Sequence, residues 1–232
     1  MDVIYEYRGL LFQGTLVTIE LAIVSVVLSV LLGLVGATAK LSENRLAQSL
    51  AGAYTTLIRG VPDLVLMLLL FYGGQQLVND LGDATGLWGY VEINQFMAGS
   101  LTIGFIFGAY MTETFRGAIL AIPRGQIEAG IACGMSSWML FRRITWPQMV
   151  RYALPSFRNN WLVLIKSTAL VSIIGLQDVV YMAFTAGRSV RQLFTFMFAV
   201  LVIYLILTAL SELGLRRLEV KYSAGVRQSE GA

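Results

Sequence analysis

The sequence predicts an all-α integral membrane protein with about five transmembrane helices. Hydrophobic residues make up 56% of the 232 residues, whereas charged residues make up only 13%, about half the share of a soluble domain. Several apolar runs are long enough to cross a bilayer, which takes about 20 helical residues. Because backbone polar groups must be hydrogen-bonded within the segment in lipid, these runs are expected to be helices. The chain is therefore expected to form one membrane domain over 1–232.

The first three spans are predicted at 12–39, 60–78 and 96–120. The first contains Glu20, an acid well inside the apolar run. The second begins beside Pro62, because proline suits the first helical turn. The third carries a Gly-x-x-x-Gly pair, Gly104 and Gly108, and two glycines at this spacing permit close contact with another helix.

The last two spans are predicted at 153–176 and 192–215. The fourth is rich in Asn, Ser and Thr and carries Lys166. Its polar groups need partners inside the bundle or in water, so it is not expected to face lipid. This helix should end at Gly175, where Asp178 is expected either to cap a short helix that begins with Val179 or to line the outer mouth of a substrate path.

The distribution of Lys and Arg predicts the orientation of the chain. Loops with many basic residues lie on the cytoplasmic side of a membrane. The connections after spans one and three and the tail after span five carry most of the basic residues, and the other side holds only Arg8, Arg188 and Arg191. We therefore expect a multi-pass membrane protein whose N-terminus faces the outside and whose C-terminus faces the cytoplasm. The positive charge is explained by this topology, so no nucleic-acid partner is expected.

The residue inventory argues against an enzyme. The chain has one cysteine, Cys133, and no histidine, so a metal centre or a Ser-His-Asp or Cys-His catalytic set is not expected. Lys166, Ser167 and Thr168 imitate the end of an ATP-binding loop, but Leu164 and Ile165 stand before them, without the glycines that cradle phosphates. We predict a non-catalytic chain without a cofactor of its own.

A polar-flanked segment over 122–150, EAGIACGMSSWMLFRRITWP at 128–147, is expected to form two short helical pieces. Gly134 would join them, because a chain reversal needs backbone freedom, and Pro147 would mark where the helix cannot continue. The spacing resembles the "EAA" loop of permease subunits in bacterial ATP-driven importers, with Gly130 and Trp146 departing from the usual Ala and Leu. The resemblance implies that the segment is a coupling helix docking on a separate ATPase, through Glu128, Ala129, Gly130, Gly134, Ile144 and Pro147.

Three further blocks extend this resemblance over most of the chain. They are YTTLIRGVPDLVLMLLLFYG at 54–73, GAYMTETFRGAILAIPRGQIEAG at 108–130 and LPSFRNNWLVLIKSTALVSIIGLQDV at 154–179. Together they resemble permeases of polar amino acid ABC importers, most closely the "Q" permease family of histidine/lysine/arginine/ornithine systems, with octopine and nopaline permeases as near relatives.

This resemblance implies a type I (MetI-like) importer permease fold and transport of basic amino acids across a bacterial inner membrane, with the N-terminus in the periplasm and the C-terminus in the cytoplasm. It also implies the partners: an ABC ATPase dimer that binds the ATP, a second permease that is either a sister chain or an identical copy, and a periplasmic binding protein.

Glu20 is the first candidate for contact with the substrate. An ionisable group about 12 Å into a span, at 1.5 Å per residue, is costly unless it is paired or wetted. Gln13 lies seven residues earlier, on nearly the same helical face, whereas Thr15, Thr18, Ser25 and Ser29 fall on another side that suits helix packing. A carboxylate beside a water-filled path would attract the cation of a basic amino acid. The alternative is a structural pair with Lys166.

The other substrate candidates are Asp63, Tyr110 and Asp178. Asp63 either faces the cavity or complements the dipole at a helix N-terminus. Tyr110 is polar enough to line the path, although tyrosine is also ordinary in a packed bundle. Glu113 and Arg116 lie three residues apart and can pair, with Lys166 as a further possible partner, so they are expected to fix the helix register rather than to contact substrate.

Other functions remain open at the level of sequence. Within the same fold, the substrate could be glutamine, another polar amino acid or an opine. An ion-coupled carrier would also place acids in its spans, but such carriers usually show an internal repeat in a longer chain.

Overall fold

The computed structural model describes residues 2–223, and every regular element within this range is helical. Short connections join most of the helices, and a π-helical turn interrupts the helical chain at two places. In chain order they are α1 (Asp2–Glu6), α2 (Arg8–Leu41), α3 (Arg45–Gly60), α4 (Asp63–Leu68), a π-helical turn (Leu69–Gly73), α5 (Gly74–Thr85), α6 (Gln95–Leu120), α7 (Arg124–Ala132), α8 (Ser137–Leu140), a second π-helical turn (Phe141–Thr145), α9 (Trp146–Ser167), a 3-10 helix (Thr168–Ile174), α10 (Val179–Ser189) and α11 (Leu193–Ser223).

Three helical stretches are long and apolar enough to cross a membrane: Arg8–Leu41, Asp63–Thr85 and Leu193–Tyr222. A fourth span results if Ser137–Ile174 and Val179–Ser189, which are bent by 53° at their junction, are counted together. The helix predicted at 96–120 is α6, but α6 does not meet this criterion of composition. Its neighbours explain why it can be more polar, because α6 lies against α2, α3 and α9 and exposes little surface that lipid would have to solvate.

The second span differs from its prediction. It covers Asp63–Thr85 instead of 60–78, and a separate helix, α3, precedes it. Asn44 starts α3 by accepting hydrogen bonds from the backbone N–H groups of Leu46 and Ala47, at 2.9 and 3.3 Å. The connection at Val61 and Pro62 then ends it, because proline removes a donor and disfavours helix in the residue before it.

The prediction that the helix cannot continue past Pro147 is wrong. Ser137–Ile174 forms one continuous helical stretch, so the helix that contains the fourth span begins far earlier than residue 153. The π-helical turn before Pro147 gives the physical reason. There the N–H of Trp146 bonds to the carbonyl of Phe141, five residues back, and this wider turn displaces the carbonyl that would otherwise meet the proline ring.

Small residues let α2 and α6 approach closely. A Cβ on Gly104 would lie 2.7 Å from Cβ of Leu28, and one on Gly108 would lie 2.9 Å from Cβ of Leu32. In the opposite direction, Gly33 and Gly36 of α2 lie against Met111 and Thr112 of α6. The Gly-x-x-x-Gly pair therefore serves packing within the chain.

The polar face predicted for packing on the first span is confirmed. Thr18, Ser25 and Ser29 are all buried and Thr15 is half-buried. The hydroxyl of Thr18 accepts the backbone N–H of Val179 at 3.3 Å. At the same place Gly14 lies directly against the backbone of Asp178 and Val179. The N-terminal part of α2 thus holds the bend between the 3-10 helix and α10.

Candidate functional site

Two surfaces of the chain are candidates for function: a helical hairpin over 124–146, which holds most of the predicted coupling residues, and a polar depression between α2, α3, α6 and α9, which holds Tyr110. The hairpin reverses at Gly134, which has a φ of 74°. The N–H of Met135 bonds to the carbonyl of Gly130 at 3.1 Å, and that of Gly134 to Ile131 at 2.9 Å. This is the Schellman arrangement, in which a left-handed residue ends a helix while satisfying its last carbonyls.

The second arm of the hairpin closes onto the first at Gly130. A Cβ at this position would lie 2.5 Å from Cδ1 of Leu140 and 2.8 Å from Cδ1 of Ile144. The departure from alanine at residue 130 therefore lets the two arms lie closer. Ser136 begins the second arm, because its side chain accepts the N–H of Met139 at 3.4 Å.

The outer surface of the hairpin is exposed and partly aromatic. Glu128 and Ala129 are exposed, and Trp138 retains 69% of its surface. The ring of Phe141 lies 5.9 Å from the rings of both Trp138 and Trp146. Sequence reasoning did not select Trp138 or Phe141, although large aromatic residues in a basic, non-spanning segment could have signalled a contact surface.

The polar depression has two lobes that share Arg59, Tyr110 and Glu113. Their volumes are about 480 and 580 Å³. The remaining lining consists of Thr114, Pro155, Ser156, Asn159 and Asn160 in one lobe and of Lys40, Thr55, Thr56 and Gly60 in the other. This composition differs from that of the apolar grooves elsewhere on the chain.

Glu113 is the centre of an ion-pair cluster beside this depression. The predicted pair with Arg116 is confirmed, with a separation of 2.9 Å. The second cation is Lys40 at the end of α2, which pairs with Glu113 and also donates to the hydroxyl of Thr55 at 2.6 Å. The suggestion of Lys166 was wrong, because Lys166 is exposed on another part of α9 and forms no ion pair within residues 2–223.

The structure brings only Tyr110, of the five predicted substrate residues, into the depression. Glu20 and Gln13 are exposed on α2, and no ion pair joins Glu20 to Lys166 in the described part of the chain. Asp63 is the first residue of α4 and is half-buried. Contact of these residues with substrate stays a prediction.

Asp178 is completely buried, and its carboxylate accepts the N–H of Tyr181 at 2.9 Å. Of the two alternatives for this residue, capping of the short helix α10 is confirmed. Because Asp178 is buried, it offers no surface to a ligand in this conformation. Its contact with substrate stays a prediction. Over the described residues, no group of three or more His, Cys, Asp or Glu is arranged to hold a metal ion.

The family model for the inner membrane component of binding-protein-dependent transport systems matches residues 15–223. The chain belongs to this family. The permease is 53% identical to the histidine/lysine/arginine/ornithine transport system permease protein HisQ of Escherichia coli (strain K12), over 98% of this chain and 99% of that one.

Solved structures agree with this assignment. The permease resembles a chain of an amino acid ABC transporter solved with histidines, with a TM-score of 0.80 and 29% identity over 94% of this chain and 96% of that one. It also resembles a chain of the inward-facing MetNI methionine ABC transporter, with a TM-score of 0.72 and 20% identity over 94% and 98% of the two chains. The predicted MetI-like importer fold is confirmed.

Proposed function

We propose that this permease is the non-catalytic transmembrane subunit that moves basic amino acids of the histidine, arginine, lysine and ornithine type inward across the inner membrane. The near full-length identity of 53% to a histidine/lysine/arginine/ornithine permease carries the proposal. The partners would be an ABC ATPase dimer, a second permease and a periplasmic binding protein. ATP would be bound and hydrolysed by the ATPase.

The hairpin supports the proposed link to the ATPase. It exposes Glu128, Ala129 and the Trp138–Phe141–Trp146 aromatic cluster on one small element. Exposed aromatic surface rimmed by polar residues is typical of a docking site. A nucleotide-driven change can shift the permease only if the docked ATPase binds one of its conformations more tightly than the other. Glu128, Ala129, Gly130, Gly134, Ile144 and Pro147 are the residues proposed for this contact or for its shape.

A wider substrate range is the second candidate, and the charge of the depression favours it. Glu113 is the only acid that lines either lobe in the described part of the chain, and it is already paired with Lys40 and Arg116. The depression therefore offers no free carboxylate to a cationic side chain. Glutamine, another polar amino acid or an opine would fit it equally well.

Reconstituted transport tests the proposed function. The permease, its ATPase, its second permease and its binding protein are placed in liposomes, and uptake of labelled histidine, arginine and glutamine is measured with and without ATP. We expect histidine and arginine to enter faster than glutamine, and only with ATP. Uptake without nucleotide would contradict the importer proposal, and a faster rate for glutamine would favour the second candidate.

The native cysteine provides a test of the proposed orientation. Cys133 lies exposed on the hairpin, which the proposal places in the cytoplasm. In membranes that lack the ATPase, an impermeant maleimide should label Cys133 in inside-out but not in right-side-out vesicles. Ala84, which is exposed on α5, gives the matched control: in an Ala84→Cys, Cys133→Ser chain the pattern should be the opposite. The same sidedness for both cysteines would contradict the topology.

A further inference from the structure

More basic than acidic side chains surround the depression. Lys40 and Arg116 are both paired with Glu113, and Lys40 also bonds to Thr55. Arg59 lines both lobes, but it takes part in none of the ion pairs formed within residues 2–223. After the internal pairs are formed, the depression therefore retains one cation without a carboxylate.

Arg59 is held at the edge of the depression by its position in α3. It occupies the last turn of that helix, immediately before Gly60 and the break at Pro62. Its guanidinium carbon lies 5.4 Å from the centre of the Tyr110 ring, a distance at which an aromatic face attracts a cation. The side chain is exposed, so its N–H groups can meet a ligand.

Neutral hydrogen-bonding groups face Arg59 across the depression from α9. Asn160 donates to the hydroxyl of Thr114 at 3.0 Å, and this bond fixes its amide. Asn159 is exposed next to it. Amides accept hydrogen bonds from an ammonium group as well as donating them to a carboxylate, so they complement a small zwitterion.

We propose that Arg59 binds the α-carboxylate of the amino acid during its passage through the permease. The inference rests on the proposed function and specifies which part of the substrate this chain recognises. A planar guanidinium matches a carboxylate with two parallel hydrogen bonds, which a lysine ammonium cannot reproduce. Because every amino acid carries this group, Arg59 selects for amino acids as a class and leaves the distinction between side chains to other groups.

Decarboxylated analogues test this inference directly. The purified permease–ATPase complex, without its binding protein, is titrated with histidine and histamine and with arginine and agmatine. We expect the wild type to bind each amino acid more tightly than its amine. Arg59→Gln should weaken amino acid binding by about ten- to a hundredfold, as expected for loss of a charged hydrogen bond, and leave amine binding unchanged. The affinity of Arg59→Lys for the amino acids should lie between those of the wild type and Arg59→Gln.

Arg45 provides the matched control, because it is exposed at the opposite end of α3. Arg45→Gln should leave both affinities unchanged. The inference is overturned if the wild type binds histidine and histamine equally, or if Arg59→Gln weakens both equally. If the Arg59→Gln complex does not assemble, the Arg59→Lys complex is used instead. Binding of histidine by Arg59→Lys with the affinity of the wild type would contradict a contact through two parallel hydrogen bonds. ATP-driven uptake by the wild type is measured separately, so failure of the proposed function is recognised independently of Arg59.

Discussion

Replacing Gly134 with valine is expected to abolish ATP-driven uptake while the permease still inserts into the membrane. Gly134 has a φ of 74°, and a Cβ added there would meet nothing within 4 Å. The effect is therefore one of backbone conformation, which costs an ordinary residue about 1–2 kcal/mol in the left-handed region and more for a β-branched one. The hairpin would reverse differently, and the surface proposed to meet the ATPase would be displaced.

Uptake and ATPase activity of the reconstituted complex measure this effect. Gly134→Asn should retain much of the uptake, because asparagine tolerates the left-handed region better than valine does. Gly125, in the first arm, is also in open space but has no positive φ, so Gly125→Ala should transport normally. Normal uptake by Gly134→Val would contradict the importance of this turn.

Replacing Gly14 with alanine is expected to destabilise the permease by about 1–3 kcal/mol, the usual cost of overpacking a filled site. The new Cβ would lie 2.7 Å from Cα of Val179 and 2.9 Å from its backbone nitrogen. These are main-chain atoms at a bend, and they cannot move aside as the end of a side chain can. The hydrogen bond between Thr18 and the N–H of Val179 would also be stretched.

Thermal unfolding of the purified permease in detergent measures this loss. Gly9 lies on the same helix with nothing within 4 Å of its added Cβ, so Gly9→Ala provides a control with the same change in composition. It should be as stable as the wild type or slightly more stable, since alanine favours helix over glycine. Equal stability of the two variants would show that the contact at Gly14 is not tight.

Hydropathy predicted the helices that meet lipid better than those that do not. The spans predicted at 12–39 and 192–215 correspond to α2 and α11, because long apolar runs have few alternatives. Three of their four ends agree within four residues, and α11 continues eight residues beyond the predicted end. The helix α3 was missed because it has one apolar face and no continuous apolar run. Pro147 was misinterpreted because the effect of proline depends on the turn before it, and a π-helical turn leaves no simple pattern in the sequence.

The site was predicted less completely than the fold. The pairing of Glu113 with Arg116 follows from their spacing on one helix. The pairing with Lys40 depends on how α2 crosses α6, and this contact between residues 73 apart in sequence cannot be derived from local patterns. No local pattern in the sequence singles out Arg59, and its position over the ring of Tyr110 becomes evident only when α3 and α6 are placed together.

The uninterrupted path from the hairpin into the fourth span has a mechanical consequence. Ser137 and Asn159 belong to the same helical rod, roughly 33 Å apart at 1.5 Å per residue. A π-helical turn and Pro155 lie between them, but no non-helical residue interrupts the stretch, so a tilt imposed at one end is passed towards the other. A rotation of only about 5° would carry Asn159 sideways by roughly 3 Å over this length, enough to widen or narrow the space opposite Arg59 by the diameter of a water molecule.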